Sequence, residues 1–223
     1  MIINVYKPKD WTSFDVVAKT RGIFREKKVG HAGTLDPLAE GVLVVLTGND
    51  TKKQEQFMKM KKEYVAEIAF GAVSPSYDME FVPEFTGNTD ITELQNILSV
   101  FTGKITQIVP PYSAKKIEGK EMYKLARKNI EIPVQYKEVE IFSCDVVNQE
   151  IREVETSDGK KPLPCSTLRV ECSSGTYIRS LAHEMGEKLE TGAVLLNLVR
   201  TAVGPYRVED AVKIEDLPSL QSR

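Results

Sequence analysis

Asp36 stands between Leu35 and Pro37 in the run HAGTLDPLAEG, residues 31–41, a stretch rich in glycine and proline that reads as a loop. An apolar run, residues 42–46, follows it and reads as a buried strand. Leu35 and Leu38 would hold such a loop against the core. A carboxylate fixed there is partly desolvated and needs a cation or hydrogen-bond donors. So placed, it can serve as a base or a nucleophile. Read alone, an Asp-Pro pair more often caps a turn. A second candidate lies in SSGTYIR, residues 173–179. Gly175 permits a tight turn, and Arg179 falls in the first turn of the following helix, where it could be buried against a carboxylate. Taken singly, such an arginine is more often a surface side chain. Tyr64 is the third, at the head of a strand just after Lys61 and Lys62. An aromatic beside cations suits base stacking, although a half-buried strand tyrosine is the commoner case.

Other chemistries find less support. Cys144, Cys165 and Cys172 are three in number and widely spaced, which argues against a disulfide framework and for a reducing cytoplasm. With two histidines, His31 and His183, and no paired ligands, a zinc site is not expected. No nucleophile-elbow, dinucleotide or P-loop motif occurs. An enzyme of this sequence is expected to work without metal, nucleotide or cofactor. The start, MIINVYKPKD, lacks the apolar run of a signal peptide. Charges interrupt every apolar stretch before about 18 residues, so no membrane span is expected.

The net charge of −2 does not announce a nucleic-acid binder. Its distribution is more telling. Residues 115–128 hold six basic side chains (Lys115, Lys116, Lys120, Lys124, Arg127, Lys128) against Glu118 and Glu121, and residues 52–62 hold five lysines against Glu55. Such patches can bind a phosphate backbone, but charge alone fits solvated helix faces better.

The elements that must position these residues alternate without a strict βαβ rhythm. Strands are expected at 2–6, 42–46, 64–70, 134–147, 167–172 and 195–203. A helix capped by Thr12 or Ser13 is expected to run to about Phe24, with Phe14, Val17, Ala18 and Arg21 near one face. A second, started by Asp90 and Glu93, carries Ile91, Leu94, Ile97, Leu98 and Phe101 at helical spacing and ends at Gly103. A third runs from Thr176 to about Leu189. Residues 115–128 are expected to be helical in their second half, and residues 149–164 to form a polar hairpin or surface loop. The pattern predicts a mixed sheet with helices packed around it.

The three weak signals gain weight together, because their surroundings resemble one family. HAGTLDPLAEGVL is similar to the catalytic motif of the TruB pseudouridine synthases, in which G-x-L-D-P-x-A-x-G-x-L surrounds the essential aspartate. KKEYVAEIAFG resembles the family's K-x-Y strand, and IVPPYSAKKIEGKEMYKLAR its PP-x-YSA-x-K segment. CSSGTYIRSLAHEMGEKLETGA and LVRTAVGPY resemble its GTYIRSL helix and L-x-R-T segment. Order and spacing agree from about Ile3 to Tyr206.

The resemblance implies an α/β (α+β) pseudouridine synthase fold with a mixed, mainly antiparallel sheet. It implies one catalytic domain over residues 1–223, with residues 112–135 as an RNA-clamping thumb. The activity it implies is isomerisation of a T-loop uridine of tRNA, nominally uridine 55, by base flipping and without cofactor or metal, in a cytoplasmic protein read here as a monomer. Asp36 falls on the catalytic aspartate, Tyr64 on the tyrosine that stacks on the target uracil, and Arg179 on the arginine that pairs with the aspartate. His31 falls on the histidine that fills the vacated space. Gly33 and Leu35 belong to the aspartate's motif. Tyr177 and Ile178 line the pocket, Leu198 lies under the base with Arg200 in the same segment, and Lys116 lies in the clamp. Two departures stand out. Ser74-Pro75-Ser76-Tyr77-Asp78 replaces the T-x-T-x-D pattern while keeping Asp78. The chain also stops about 17 residues past Tyr206, too few for the PUA-type module most bacterial relatives carry, so a higher KM with near-normal chemistry is expected. Two other readings stay open: another T-loop-like RNA as target, or an RNA-folding role without catalysis.

Overall fold

The computed structural model describes residues 1–117, 119–128 and 130–222, so Glu118, counted above in the basic segment, lies outside the described residues. The strands are β1 (Ile2–Lys7), β2 (Val29–Ala32), β3 (Ala39–Thr47), β4 (Lys62–Phe70), β5 (Ala72–Val73), β6 (Glu84–Phe85), β7 (Gly103–Ile108), β8 (Lys116–Ile117), β9 (Lys120–Glu121), β10 (Tyr136–Thr156), β11 (Gly159–Cys172), β12 (Ala193–Val203) and β13 (Tyr206–Arg207). The helices are α1 (Ser13–Phe24), α2 (Gln54–Met58), α3 (Leu94–Ile97), α4 (Met122–Ala126) and α5 (Ile178–Lys188). The main sheet has the order β1-β3-β12-β4-β11-β10-β7, with β2 on β3 and β13 on β12. It is mixed: β1 and β2 pair antiparallel with β3, whereas β12 runs parallel to it. The expected α/β class with a mainly antiparallel sheet holds.

The chain divides into two compact units. One comprises residues 1–65, 170–175 and 197–223; the other comprises residues 66–169 and 176–196. In the first, β3 is apolar from Val42 to Leu46 because both of its faces are covered there. Leu43 and Val45 join Ile3, Val5, Val16 and Leu217 in one cluster. Val42, Val44 and Leu46 join Ala32, Phe57 and Val203 in another. In the second unit, Ala69, Ala72, Val154, Leu163, Cys165 and Val194 form a core of their own.

Helix α1 begins as expected. Thr12 caps it, its hydroxyl accepting from the Asp15 amide at 3.0 Å while the Asp15 carboxylate accepts from the Thr12 amide at 2.8 Å. The buried face is not the expected one. Ser13, Val16, Val17 and Thr20 are buried, and Phe14 is 64% exposed. Two small polar residues complete the inward stripe, so apolar count alone set the phase wrongly.

Other boundaries also move. The loop expected over 31–41 shrinks to residues 33–38, because β2 and β3 pair antiparallel from either side. The helix expected from Asp90 breaks into α3 and a 3-10 turn, Leu98–Phe101, with no side-chain cap at Glu93. Asp90 spends its carboxylate on the Thr92 amide instead. Residues 149–164 continue β10 and β11 as a long hairpin that turns at Ser157 and Asp158. The helical half of the basic segment is α4.

Gly41 shows why a glycine is needed at one place. Its φ is +103°, and a Cβ there would lie 2.4 Å from the Arg200 carbonyl oxygen on the neighbouring β12. Gly41→Ala is expected to cost about 2 kcal/mol or more, from strain plus clash. Urea unfolding of the variant beside the wild type checks it, and an unchanged midpoint would contradict the packing.

Candidate active site

Strand β3 is flanked by β1 and β12, and the loop bearing Asp36 leads into it. Lys7 lies opposite Gly41 on one side, and Arg200 lies opposite Gly41 on the other. Both side chains are fully buried or nearly so, and both turn their cations on the loop. Lys7 Nζ donates to the Pro37 carbonyl at 3.2 Å, to Trp11 at 2.6 Å and to Pro8 at 2.9 Å. The Arg200 guanidinium donates to the carbonyls of Val42 at 2.7 Å, Gly33 at 3.0 Å and Thr34 at 3.4 Å.

Helix α1 completes the clamp. The Ser13 hydroxyl accepts from the Leu35 amide at 2.9 Å and donates to the Leu35 carbonyl at 3.0 Å. Asp10, held at φ +66°, donates its amide to the Pro37 carbonyl at 2.8 Å. The Asp36 carbonyl accepts from the Ala39 amide at 3.1 Å. Asp36 itself is half-buried, and Leu35 beneath it is buried. This fixes a carboxylate on an over-determined backbone, with the Lys7 charge felt at Asp36.

The neighbouring groups are biased towards neutrality. Burial lowers the Lys7 ammonium to about 8, against the raising effect of Asp36 and Glu40; Arg200 lowers it further, and Asp10 raises it. Burial pushes the Tyr64 phenol up, Arg200 opposing it by charge and by a side-chain hydrogen bond, with Cys172 and Asp36 also felt there. Burial and the Arg200 charge push His31 down, a backbone hydrogen bond at Gly33 working the other way. Tyr64 therefore offers a neutral ring and an intact hydroxyl, and His31 a neutral imidazole. Leu198 is buried on β12, paired parallel with Ala39 at the start of β3. Of the residues singled out in the sequence, His31, Gly33, Leu35, Asp36, Tyr64, Leu198 and Arg200 thus belong to one unit.

Tyr177, Ile178, Arg179 and Lys116 belong to the other. Arg179, 4% exposed at the start of α5, faces Asp78 with Nε 3.6 Å from Oδ2. It donates to the Ser76 carbonyl at 3.1 Å and to the Tyr112 carbonyl at 3.1 Å. Asp78 is oriented in turn by the Ser76 hydroxyl at 2.5 Å and the Glu80 amide at 3.0 Å. No side chain caps α5 at Tyr177. Instead the Gln107 side chain accepts from the Tyr177 amide at 2.8 Å and donates to its carbonyl at 2.9 Å. Ile178 is buried and Tyr177 half-buried. Lys116 is exposed on the two-residue hairpin β8–β9. Lys7, Ser13, Asp78 and Gln107 are the positioning residues that site reasoning missed. Only Asp78 carried a signal, as the retained end of an altered motif.

A chain of this fold, carrying an aspartate clamped at the mouth of a mixed sheet, falls among the pseudouridine synthases. The model of the TruB family pseudouridylate synthase N-terminal domain matches residues 21–178, and that of the tRNA pseudouridylate synthase B C-terminal domain matches residues 179–222. The chain belongs to the TruB family. It is 41% identical over 219 residues to the tRNA pseudouridine synthase B of Clostridium tetani, covering 97% of this chain and 72% of that protein. It is 43% identical over 226 residues to the enzyme of the same name from Phocaeicola vulgatus, covering 95% and 89%. Among solved structures, a Cbf5-Nop10-Gar1 complex matches with TM-score 0.72 and 27% identity, over 98% of this chain and 53% of that one. An H/ACA RNP bound to a substrate RNA containing 2′-deoxyuridine matches with TM-score 0.69 and 26% identity, over 98% and 52%. The chain thus spans about half the length of those solved chains.

Two substitutions check the geometry. Lys7→Met removes a donor from the Pro8, Trp11 and Pro37 carbonyls, the last of which keeps the Asp10 amide, and is expected to cost about 2–4 kcal/mol at pH 7. The folded-state Lys7 sits at about 8, against 10.5 for the ordinary lysine. Between those values the unfolded chain holds the extra proton, so wild-type stability rises with pH relative to Lys7→Met, by on the order of 1–2 kcal/mol by pH 9.5. Urea titrations of both proteins at pH 7 and pH 9.5 measure this, and parallel curves would contradict it. Asp78→Asn leaves the Arg179 charge buried beside a neutral amide and is expected to cost about 3 kcal/mol. Calorimetric melting that shows less than about 1 kcal/mol would rule out a structural part for that pair.

Proposed function

We propose that this protein isomerises uridine to pseudouridine in tRNA, at the T-loop uridine nominally numbered 55. The observation that carries the reading is the clamped Asp36 within HAGTLDPLAEG, in a chain about 40% identical over nearly its full length to proteins named tRNA pseudouridine synthase B. The target nucleotide flips out of the folded arm, at a cost of a few kcal/mol. Asp36 attacks the ribose C1′ or removes the 2′ proton, and either step breaks the C1′–N1 bond and frees the base from its sugar. The uracil turns and rejoins through C5, and loss of the C5 proton restores its aromaticity. Every heavy atom of the uridine is retained, and N1 gains a proton as C5 loses one, so no cofactor or metal is required.

Tyr64 supplies a neutral ring for stacking on the uracil, as its raised phenol allows. Leu198 supplies an apolar floor under the base; Tyr177 and Ile178 are assigned a part on family resemblance. His31, held neutral, is suited to stacking in the space the flipped base leaves. Arg179 is assigned to the reaction on family resemblance. Lys116 and its basic neighbours are assigned to the RNA backbone, as a thumb over residues 112–135 of a single catalytic domain. The protein is read as a monomer acting in the cytoplasm; no helix among the described residues is long and apolar enough to cross a membrane.

Asp36→Asn is expected to abolish pseudouridine formation on an unmodified tRNA transcript, by at least about 10³-fold in kcat, while leaving tRNA affinity within about threefold. Single-nucleotide pseudouridine mapping with parallel filter binding measures both. Product from the variant would remove Asp36 from its role, and product at another position would redirect the substrate assignment.

A further inference from the structure

A cavity of about 530 Å³ opens on the unit that carries Asp36, walled by β1, α1 and the segment that follows β13. Tyr6, Trp11, Lys19, Lys213 and Glu215 are among its walls, and none is used by the isomerisation. Its volume falls in the range of about 300–1,000 Å³ common for small-ligand sites.

The aromatic walls are held rigidly. Trp11 packs partly on the cluster around Val5 and Val16 yet stays half-exposed. Its carbonyl accepts from buried Lys7, and the next residue, Thr12, caps α1. The Tyr6 hydroxyl donates to Glu40 at 2.8 Å, which fixes the ring; burial foremost, then that bond and the Glu40 charge, raise the phenol to about 12. A rigid aromatic loses little entropy when a flat ligand stacks on it. The cations come from separate elements, Lys19 from α1 and Lys213 from beside the Val5–Val212 bridge. Among the described residues neither lysine lies within ion-pair distance of a carboxylate. With Glu215 as the one acid on the wall, the lining keeps a net positive charge.

Fixed aromatics beside unpaired ammonium groups match a ligand with a flat apolar face and an attached anion. We propose that this cavity binds a second nucleotide of the substrate RNA, its base against Trp11 and its phosphate between Lys19 and Lys213. The occupant, an RNA strand, rests on the function proposed above; the nucleotide chemistry rests on the cavity itself. Through Lys7 the floor of this cavity and the Asp36 loop share one donor, since Trp11 and Pro37 accept from the same Nζ.

Trp11 is the single tryptophan of the chain, so its emission reports on this cavity alone. Full-length protein is titrated with unmodified tRNA, and separately with AMP and UMP, while filter retention and pseudouridine formation are followed in parallel. Saturating tRNA is expected to quench Trp11 strongly. The double variant Lys19→Glu/Lys213→Glu should weaken tRNA binding about tenfold and flatten its salt dependence, with kcat at saturation unchanged. Trp11→Ala should raise KM about five- to tenfold and Trp11→Phe should restore it. Retained tRNA with unaltered emission overturns the proposal, as does quenching by AMP or UMP but not by bound tRNA, which would mark a free-nucleotide site. Should tRNA neither bind nor react, the function proposed above fails. Quenching by AMP or UMP would then keep the cavity as a nucleotide site, and its absence would end that claim too.

Discussion

Five consecutive backbone carbonyls, Gly33 to Pro37, must find donors in a segment that is neither helix nor strand, and the first unit is arranged around supplying them. Arg200 takes the first two, Ser13 the third, the Ala39 amide the fourth, and Lys7 with the Asp10 amide the fifth. A buried carbonyl without a donor costs about 1–3 kcal/mol, so together these donors stabilise all five backbone positions. Their sum leaves the loop little freedom to move. The proposed role of Asp36 would benefit from that immobility, because misplacement of a reacting group by about 1 Å can cost about a hundredfold in rate.

The choice of donors also sets the field around Asp36. Arginine suits the side where three carbonyls lie in different directions, since its planar fork presents several N–H groups at once. Lysine on the other side gathers three carbonyls around one ammonium, and burial without a directly bonded carboxylate brings it down to about 8. The cations satisfy backbone first, and the Lys7 charge is also felt at Asp36. Gly41 makes this possible, because its missing side chain lets β12 carry Arg200 close against β3.

Much of this was legible in the sequence, for identifiable reasons. The β3 run and the strand holding Tyr64 declared themselves by apolar patterning, and Thr12, one of two cap candidates, declared the start of α1. The Asp36 loop was legible as a loop, although its ends were absorbed by β2 and β3. What stayed hidden was long-range partnership. Lys7 reads as a surface lysine until β1 is laid beside β3, and Ser13 reads as a cap candidate until it is seen bonding Leu35, 22 residues away. The α1 face was misread because Ser13 and Thr20 turn inward to serve backbone groups, Leu35 in one case and the Val16 carbonyl in the other.

The second unit solves a related problem by a different route. Helix α5 starts without a side-chain cap, yet its first residues must hold Arg179 inside the protein. Gln107 supplies the missing acceptor from β7, and Asp78 supplies the counter-charge from the turn that departs from the family pattern. Within that turn Ser76 and Asp78 bond one another and both meet Arg179. The same guanidinium reaches the Tyr112 carbonyl, where the basic segment begins. One buried arginine thus ties the root of that segment to α5, while Lys116 further along it is exposed.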